Sequence, residues 1–407
     1  MTPPHAWPPF NREIYSYSMP ENLGPDSAWS LPFFRRKNRW RALLLVVPAL
    51  IEIPYLLFLT LTRGAPRRFA FVNKIAIGVL DATRGSETIV LGSVSELPLA
   101  LRKGALWVPV SALYIVLAWS RWTTEGGLPI QTRLAMKVLH RILASRLPGN
   151  SWLVMHSDAL PLARALAAIV RDLGSGTCCV QHGIFHESYR LPEVDGSLCD
   201  VNVVRSKVDA RIIRRANPVS TMLIEPSLFR PPRPRSVPTQ LRVSLIGEAW
   251  HTCDKAFDKL HRRKLRDLEA ALIDSNIAVS FRPHPSERYR ALFYGFRHLD
   301  FGQKYRAFER FNVFVGYAST LLNEAAAVGH LAIQLIHAEH TTPTIIRDGG
   351  PEIPRVQTPD QLLALLSQAG HRHRHADAPL NIEGERARAA ARVIATLRSF
   401  TRASVIP

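Results

Sequence analysis

Residues 278–287, AVSFRPHPSE, bring Arg282, His284, Ser286 and Glu287 together in one short loop, groups that can handle a phosphate or a sugar hydroxyl. The apolar run before them predicts a strand that delivers polar groups to one edge of a sheet, where ligands of open α/β folds bind. Pro283 and Pro285 flank His284, fixing their own φ and restricting the residues before them, so the imidazole sits on a stiff backbone. Taken alone, the segment reads first as a proline turn with a partly exposed histidine.

Two other loops share this design. Gln181-His182-Gly183 follows the apolar run Thr177–Val180, and Gly316-Tyr317-Ala318-Ser319-Thr320 follows Phe311–Val315. The second of these opens a helix, Leu321–Val328, closed by Gly329. Strand ends of a parallel sheet point to one side, so the His284 loop and the Gly316–Thr320 loop are expected to be neighbours. A helix N-terminus offers unpaired N–H groups and positive partial charge, and Ser319 and Thr320 add hydroxyls, a combination suited to phosphate. Glu324, one turn further on, can accept from both hydroxyls of a ribose. N-capping by Ser319 and simple exposure of Glu324 are the plainer accounts of each residue singly. Their occurrence together with His284 and Arg282 favours a donor site, with Gly247 and Gly316 at its strand ends. On the other side of the reaction, His182, Asp158 and Glu187 are, in that order, candidates for base or nucleophile, with Gln181 and Gly183 facing an acceptor.

The elements that must position these groups follow from the chain's periodicities. From Ser151 onward strands and helices alternate: Trp152–Met155, a helical pattern to Leu173, Thr177–Val180, Asp200–Val204, the basic helix Lys207–Ala216 and a strand near Met222–Ile224. Such βα alternation predicts a parallel sheet wound by helices. Arg230–Pro238, RPPRPRSVP, reads as a linker, after which the grammar restarts with Leu241–Ile246, ending in Gly247 and Glu248. The expected fold class is α/β, with two Rossmann-like domains facing a cleft. Residues 1–125 form an apolar N-terminal extension, 126–230 an acceptor domain, 231–240 the linker and 241–407 a nucleotide-donor domain.

The extension holds the most apolar stretch, Ala42–Leu61, directly after the basic run Arg35–Arg41. Its length suits one membrane span. Against a span stand Pro48, Pro54 and Glu52, the last costing roughly 2.5–3.5 kcal/mol at a bilayer centre if it behaves as Asp does. A second run, Ala105–Trp119, is short for a span. Core packing, a dip into the membrane interface with arginines over anionic lipid, and a true span are the alternatives for these segments.

The chain of 407 residues has a formal charge of +19, which implies an anionic partner or surface unless the arginine excess is compositional bias. Four cysteines without C-x-x-C or zinc spacing argue against a disulfide framework. Residues 1–32 lack the pattern of a secretory signal, so a cytoplasmic site is expected, at the inner face of the membrane if the extension touches lipid. His371, His373 and His375 alternate with arginines in a segment that reads as a solvated loop rather than a metal site.

Gln181-His182-Gly183, Arg282-Pro283-His284-Pro285-Ser286-Glu287 and Gly316–Gly329 (GYASTLLNEAAAVG) together resemble the signatures of bacterial surface-polysaccharide glycosyltransferases of GT-B type. The likeness is to capsule β-Kdo transferases and sialyl- and polysialyltransferases, and less closely to CDP-glycerol glycerophosphotransferases. It covers roughly Ser151 to the C-terminus. In those relatives the His-Pro histidine and the Ser/Thr helix start face the phosphate of a nucleotide donor, often a CMP-sugar, which implies that role for His284, Ser319 and Thr320. The acidic Asp/Glu-Asp/Glu-Gly motif that serves polysialyltransferases as base has no counterpart here, so the base is not carried over.

The expected function is metal-independent sugar transfer, without a cofactor, from a nucleotide-sugar to an anionic surface glycan or glycolipid. A nucleotide-sugar 2-epimerase of similar fold is the enzymatic alternative. A nucleic-acid-binding protein would also explain the charge, but no recognisable nucleic-acid module is present.

Overall fold

The computed structural model describes residues 31–72, 77–119, 130–157, 161–181, 199–232, 234–248, 255–338, 353–369 and 382–400. The chain divides into two units, each built on a parallel sheet.

The first unit opens with helix α1 (Leu31–Leu61), then β1 (Phe69–Val72), β2 (Thr88–Gly92), α2 (Leu97–Lys103), β3 (Leu106–Pro109), α3 (Ser111–Trp119) and α4 (Ile130–Ala144). It continues through β4 (Trp152–Met155), α5 (Pro161–Asp172), β5 (Gly176–Val180), β6 (Val201–Val204), α6 (Lys207–Ala216) and β7 (Thr221–Ile224). The seven strands lie in the order β3-β2-β1-β4-β5-β6-β7, every pair parallel, which is the doubly wound order with its reversal between β1 and β4.

This corrects the expectation of an N-terminal extension up to residue 125. β1 pairs with β4 through Phe69↔Trp152 to Phe71↔Val154, so β1 to β3 form half of the first sheet. The short strand FAFV lies directly after Arg67 and Arg68, too brief to show a period. Ala105–Trp119, one apolar run in sequence, is a strand and a helix joined at Val110. α1 packs on α3 and α4, its inward row of Ala49, Glu52, Leu56 and Leu59 entering their shared core. Glu52 accepts from the Ser111 hydroxyl at 2.9 Å, and burial raises its pKa. Among the described residues no helix is long and apolar enough to cross a membrane. Arg146, itself buried, donates to the carbonyls of Thr62 and Ile142, satisfying the C-terminal ends of α1 and α4.

The second unit holds β8 (Arg242–Ile246), α7 (Lys255–Asp274), β9 (Ala278–Arg282), β10 (Val313–Gly316), α8 (Thr320–Ala327), β11 (Leu331–Leu335), β12 (Arg355–Val356) and α9 (Pro359–Ala369). Its strand order is β12-β11-β10-β8-β9, all parallel, so winding reverses between β8 and β10. α7 buries Phe257, Leu265, Leu268 and Leu272, while Arg263, Lys264 and Arg266 lie on its less buried side.

The last helix, α10 (Ile382–Ser399), departs from the expected boundary: from Glu385 it belongs to the first unit rather than to the donor domain. Arg392 pairs with Glu225 at 2.6 Å, Arg398 pairs with Glu87, and the Arg398 carbonyl accepts from Arg68 at 2.9 Å. Buried Ala389, Ala390, Val393, Ile394 and Leu397 make the apolar stripe that seats it, a stripe hidden in sequence by the arginines between them.

Candidate functional site

In open parallel sheets ligands bind beyond the carboxyl ends of the strands, at the point where winding reverses. In the second unit that point lies between the ends of β8 and β10, which carry Gly247-Glu248 and Gly316 to Ser319.

Glu248 is buried, and its Oε1 accepts from the backbone N–H of Tyr317 at 2.8 Å and of Ala318 at 2.7 Å. One carboxylate oxygen therefore ties the end of β8 to the turn that opens α8. Gln334 on β11 donates to the Tyr317 carbonyl at 2.7 Å, fixing the turn from its other side. Ser319 is the N-cap of α8, its hydroxyl accepting from the Leu321 N–H at 3.2 Å. Ser319 and Thr320 are half-buried. Glu248 uses the two amides before them, so an anion approaching α8 meets the Ser319 and Thr320 end of the turn rather than Tyr317.

The His284 loop and the Gly316–Thr320 loop are not direct neighbours, because β8 runs between β9 and β10. Sequential order suggested adjacency, whereas the reversal of winding inserts the first strand between the second and third. The junction is narrow at Gly247: its N–H donates to the Arg282 carbonyl at 2.8 Å, and a Cβ there would lie 2.7 Å from Glu287 Oε2 and from Phe281 Cζ. At Gly316 a Cβ would lie 3.1 Å from Ile246 Cβ. Glycine at both strand ends lets three loops converge.

The His284 loop is held by its acidic end. Buried Glu287 accepts from the His284 N–H at 3.1 Å, and the Glu287 N–H donates to the His284 carbonyl at 2.8 Å. The loop backbone is closed on itself and the His284 residue is left exposed. Beneath it, Phe281 stacks on Phe296 with ring centroids 3.9 Å apart. Tyr294, whose hydroxyl lies 3.4 Å from Glu287 Oε1, has its pKa pushed up to about 12 by burial and that carboxylate.

Arg282, expected on the donor, is engaged elsewhere. Its Nη1 donates to Asp300 Oδ2 at 2.6 Å and its Nη2 to the Gly302 carbonyl at 2.9 Å, and Asp300 also pairs with Arg310 at 2.6 Å. Burial alone would raise the Asp300 carboxyl, but the Gly302 amide and the two guanidinium groups outweigh it and hold it below its ordinary value. Arg282 thus anchors the loop. Glu324 is buried and paired with Lys304 at 2.6 Å, a cation with no marked motif in the sequence.

A second group at this edge has no signal in the sequence. His337, just past β11, lies with its Nε2 3.0 Å from Nδ1 of His261 on α7, both rings buried among Phe257 and Tyr317. Burial, then His337 and Lys264, bring the His261 pKa down to about 3. The two histidines lie 76 positions apart, so spacing gives no sign of the pair.

In the first unit, Gln181 is buried and accepts from the Arg205 N–H at 2.8 Å, locking the end of β5 to that of β6. His156 and Ser157, at the end of β4 beside the reversal with β1, are buried. Asp158, His182, Gly183 and Glu187 lie outside the described residues, as does the His371–His375 segment. A cavity of about 140 Å³ lined by Trp152, Arg171, Asp200 and Phe400 lies at the opposite end of the same strands, away from the carboxyl edge. Among the described residues no three His, Cys, Asp or Glu side chains converge as a metal site.

No family model matches the chain, and no curated protein matches it. Solved structures do. A UDP-N-acetylglucosamine 2-epimerase from Rickettsia bellii is similar over 82% of this chain and 96% of its own, with a TM-score of 0.50 at 12% identity. The fold is GT-B-like. At lower similarity stand the wall teichoic acid polymerase TagF, covering 89% of this chain and 91% of its own (TM-score 0.41, 10% identity), and the calicheamicin glycosyltransferase CalG4, covering 82% and 95% (TM-score 0.43, 11% identity). At such identities the likeness concerns the GT-B-like fold alone. Residue roles rest on the geometry above.

Proposed function

We propose that this protein is a glycosyltransferase that moves a sugar from a nucleotide donor, a CMP-sugar first, to a bacterial surface glycan or glycolipid of capsule or lipopolysaccharide type. The observation that carries the reading is the winding reversal of the second sheet. There Glu248 fixes the turn before α8, glycines bring three strand ends together, and His284 stands exposed on a braced loop.

The donor phosphate lies against the Ser319 and Thr320 hydroxyls and the first turn of α8, where unpaired amides and the helix dipole favour an anion. His284, as imidazolium, neutralises charge that develops on the leaving phosphate. Glu324 takes the ribose hydroxyls, with Lys304 beside it. Arg282 works through Asp300 to hold the loop. No metal or cofactor is assigned a part, since these groups supply the neutralising charge. His182, Asp158 or Glu187 supplies the base or nucleophile, with Gln181 and Gly183 on the acceptor side. The preference for CMP follows the motif resemblance.

The test begins with thermal unfolding in the presence of CMP-, CDP-, UDP- and GDP-sugars, where a ligand at 100 times its Kd adds about 2.7 kcal/mol. Donor turnover by folded His284→Ala and His182→Ala follows. Full activity in both variants overturns the site.

The similarity to a UDP-N-acetylglucosamine 2-epimerase supports a second reading, epimerisation of a nucleotide-sugar in the same unit. It predicts turnover of the donor with no acceptor present, which the first reading does not.

A further inference from the structure

The outward side of α1 is apolar from Val46 to Leu61. Val47, Leu50, Ile51, Leu57, Phe58 and Leu61 are all well exposed, Ile51 at 71% and Leu61 at 82%. From Val46 to Leu61 the strip runs for roughly 22 Å. Soluble monomers rarely leave so large a contiguous apolar patch uncovered.

α4, which packs beside α1, extends the patch and adds charge. Ile130, Leu134 and Val138 form one exposed row at helical spacing, and Arg133, Lys137 and Arg141 form an exposed row alongside it. The first three turns of α1 also hold Arg35, Arg36, Lys37, Arg39 and Arg41. Across α1, α3 and α4 the sole carboxylate is Glu52, and it is buried on Ser111.

We propose that α1 and α4 form a docking surface for an anionic phospholipid bilayer, with α1 lying in the plane of the interface. Apolar side chains flanked by cations, with no exposed carboxylate, match a layer of acyl chains under negative headgroups. A span by α1 is incompatible with this geometry, because its inner face is seated on α3 and α4 and carries Glu52 into their core. The charge decides against a second copy of the chain as occupant: two such faces would bring like charges together.

The test is sedimentation of the full chain with vesicles of phosphatidylcholine alone and of phosphatidylcholine with phosphatidylglycerol, alongside analytical ultracentrifugation without lipid. The expected result is binding at least about tenfold tighter to the anionic vesicles, weakened by salt. A variant carrying Val47→Gln, Ile51→Gln and Phe58→Gln should lose at least about tenfold in binding while keeping its thermal midpoint, since all three side chains face outward. A second variant, Arg133→Gln with Lys137→Gln and Arg141→Gln, should lose the preference for anionic lipid. No binding by the folded wild type, equal binding to both vesicles, or unchanged binding by the apolar variant overturns the proposal. So does a lipid-independent dimer that the apolar variant dissociates, which assigns the face to a second copy.

Discussion

Glu248 and Tyr317 meet across the winding reversal of the second sheet, the carboxylate of one 2.8 Å from the amide of the other. The same oxygen takes the Ala318 amide, so removing it leaves two N–H groups without their partner in a buried place. Glu248→Ala is expected to cost about 2–6 kcal/mol, at about 1–3 kcal/mol for each of the two orphaned donors. Glu248→Gln keeps an accepting oxygen and should recover at least half of that. Urea unfolding of both variants measures the difference, and donor turnover should follow the same order, because the turn that opens α8 moves with Glu248.

Asp300 predicts an acid-sensitive anchor under the His284 loop. Its carboxyl is held below the ordinary 3.8, so the stability it contributes is complete above about pH 4 and lost as pH falls through the lower folded value. Asp300→Asn leaves Arg282 buried without its counter-ion and should cost about 3 kcal/mol at neutral pH. The variant and the wild type should converge as pH falls through that lower folded value. Denaturant titrations at pH 7 and at successively lower pH below 3.8 read both arms.

His261 acts in a different pH window. Its pKa is lowered from 6.5 to about 3, so the folded state keeps the ring neutral while the unfolded chain takes up a proton. The stability tied to that ring is present above about pH 6.5 and lost as pH falls towards 3, at about 1.4 kcal/mol per pH unit once well below 6.5. His261→Gln should flatten the slope of stability between pH 6 and pH 4 by one proton. An NMR titration should find the His261 ring neutral down to pH 4.

An element of this fold is legible in the sequence where its signal is local. Trp152–Met155 is legible in the sequence as a strand with the boundaries it has, and α6 as a helix over Lys207–Ala216, because an apolar run and a capped amphipathic helix are local patterns. β1 and β2 are not legible in the sequence, since four or five residues between arginines and loops carry no usable period, and they become a sheet only by pairing with β4. α10 is legible as an Arg/Ala-rich helix from about Ile382, but its membership of the first unit is hidden for a related reason, since it rests on long-range contacts with Glu87 and Glu225. Within the site, strand-end position alone points to His284, Ser319 and Glu324. The partners that occupy Arg282, and the meeting of His261 with His337, follow from topology that spacing does not encode.

Gly247 offers the sharpest mutational probe of the convergence at this edge. A methyl group there would stand 2.7 Å from Glu287 Oε2 and from Phe281 Cζ, and 3.1 Å from the Pro283 Cα, so both the brace of the His284 loop and its backbone must shift. Glu287 can yield only by loosening its hydrogen bond to the His284 N–H, and Phe281 is pinned by its stack on Phe296. Gly247→Ala is therefore expected to misplace His284 by a few tenths of an ångström or more, costing about 1–3 kcal/mol of stability as overpacking does. Because a small misplacement of a catalytic group can cost about 10²-fold in rate, donor turnover should fall further than stability. Pairing Gly247→Ala with His284→Ala in a double-mutant cycle separates the two effects: if Gly247 acts through the histidine, the second substitution adds little to the loss of turnover, whereas additive losses would show that Gly247 matters to the fold alone.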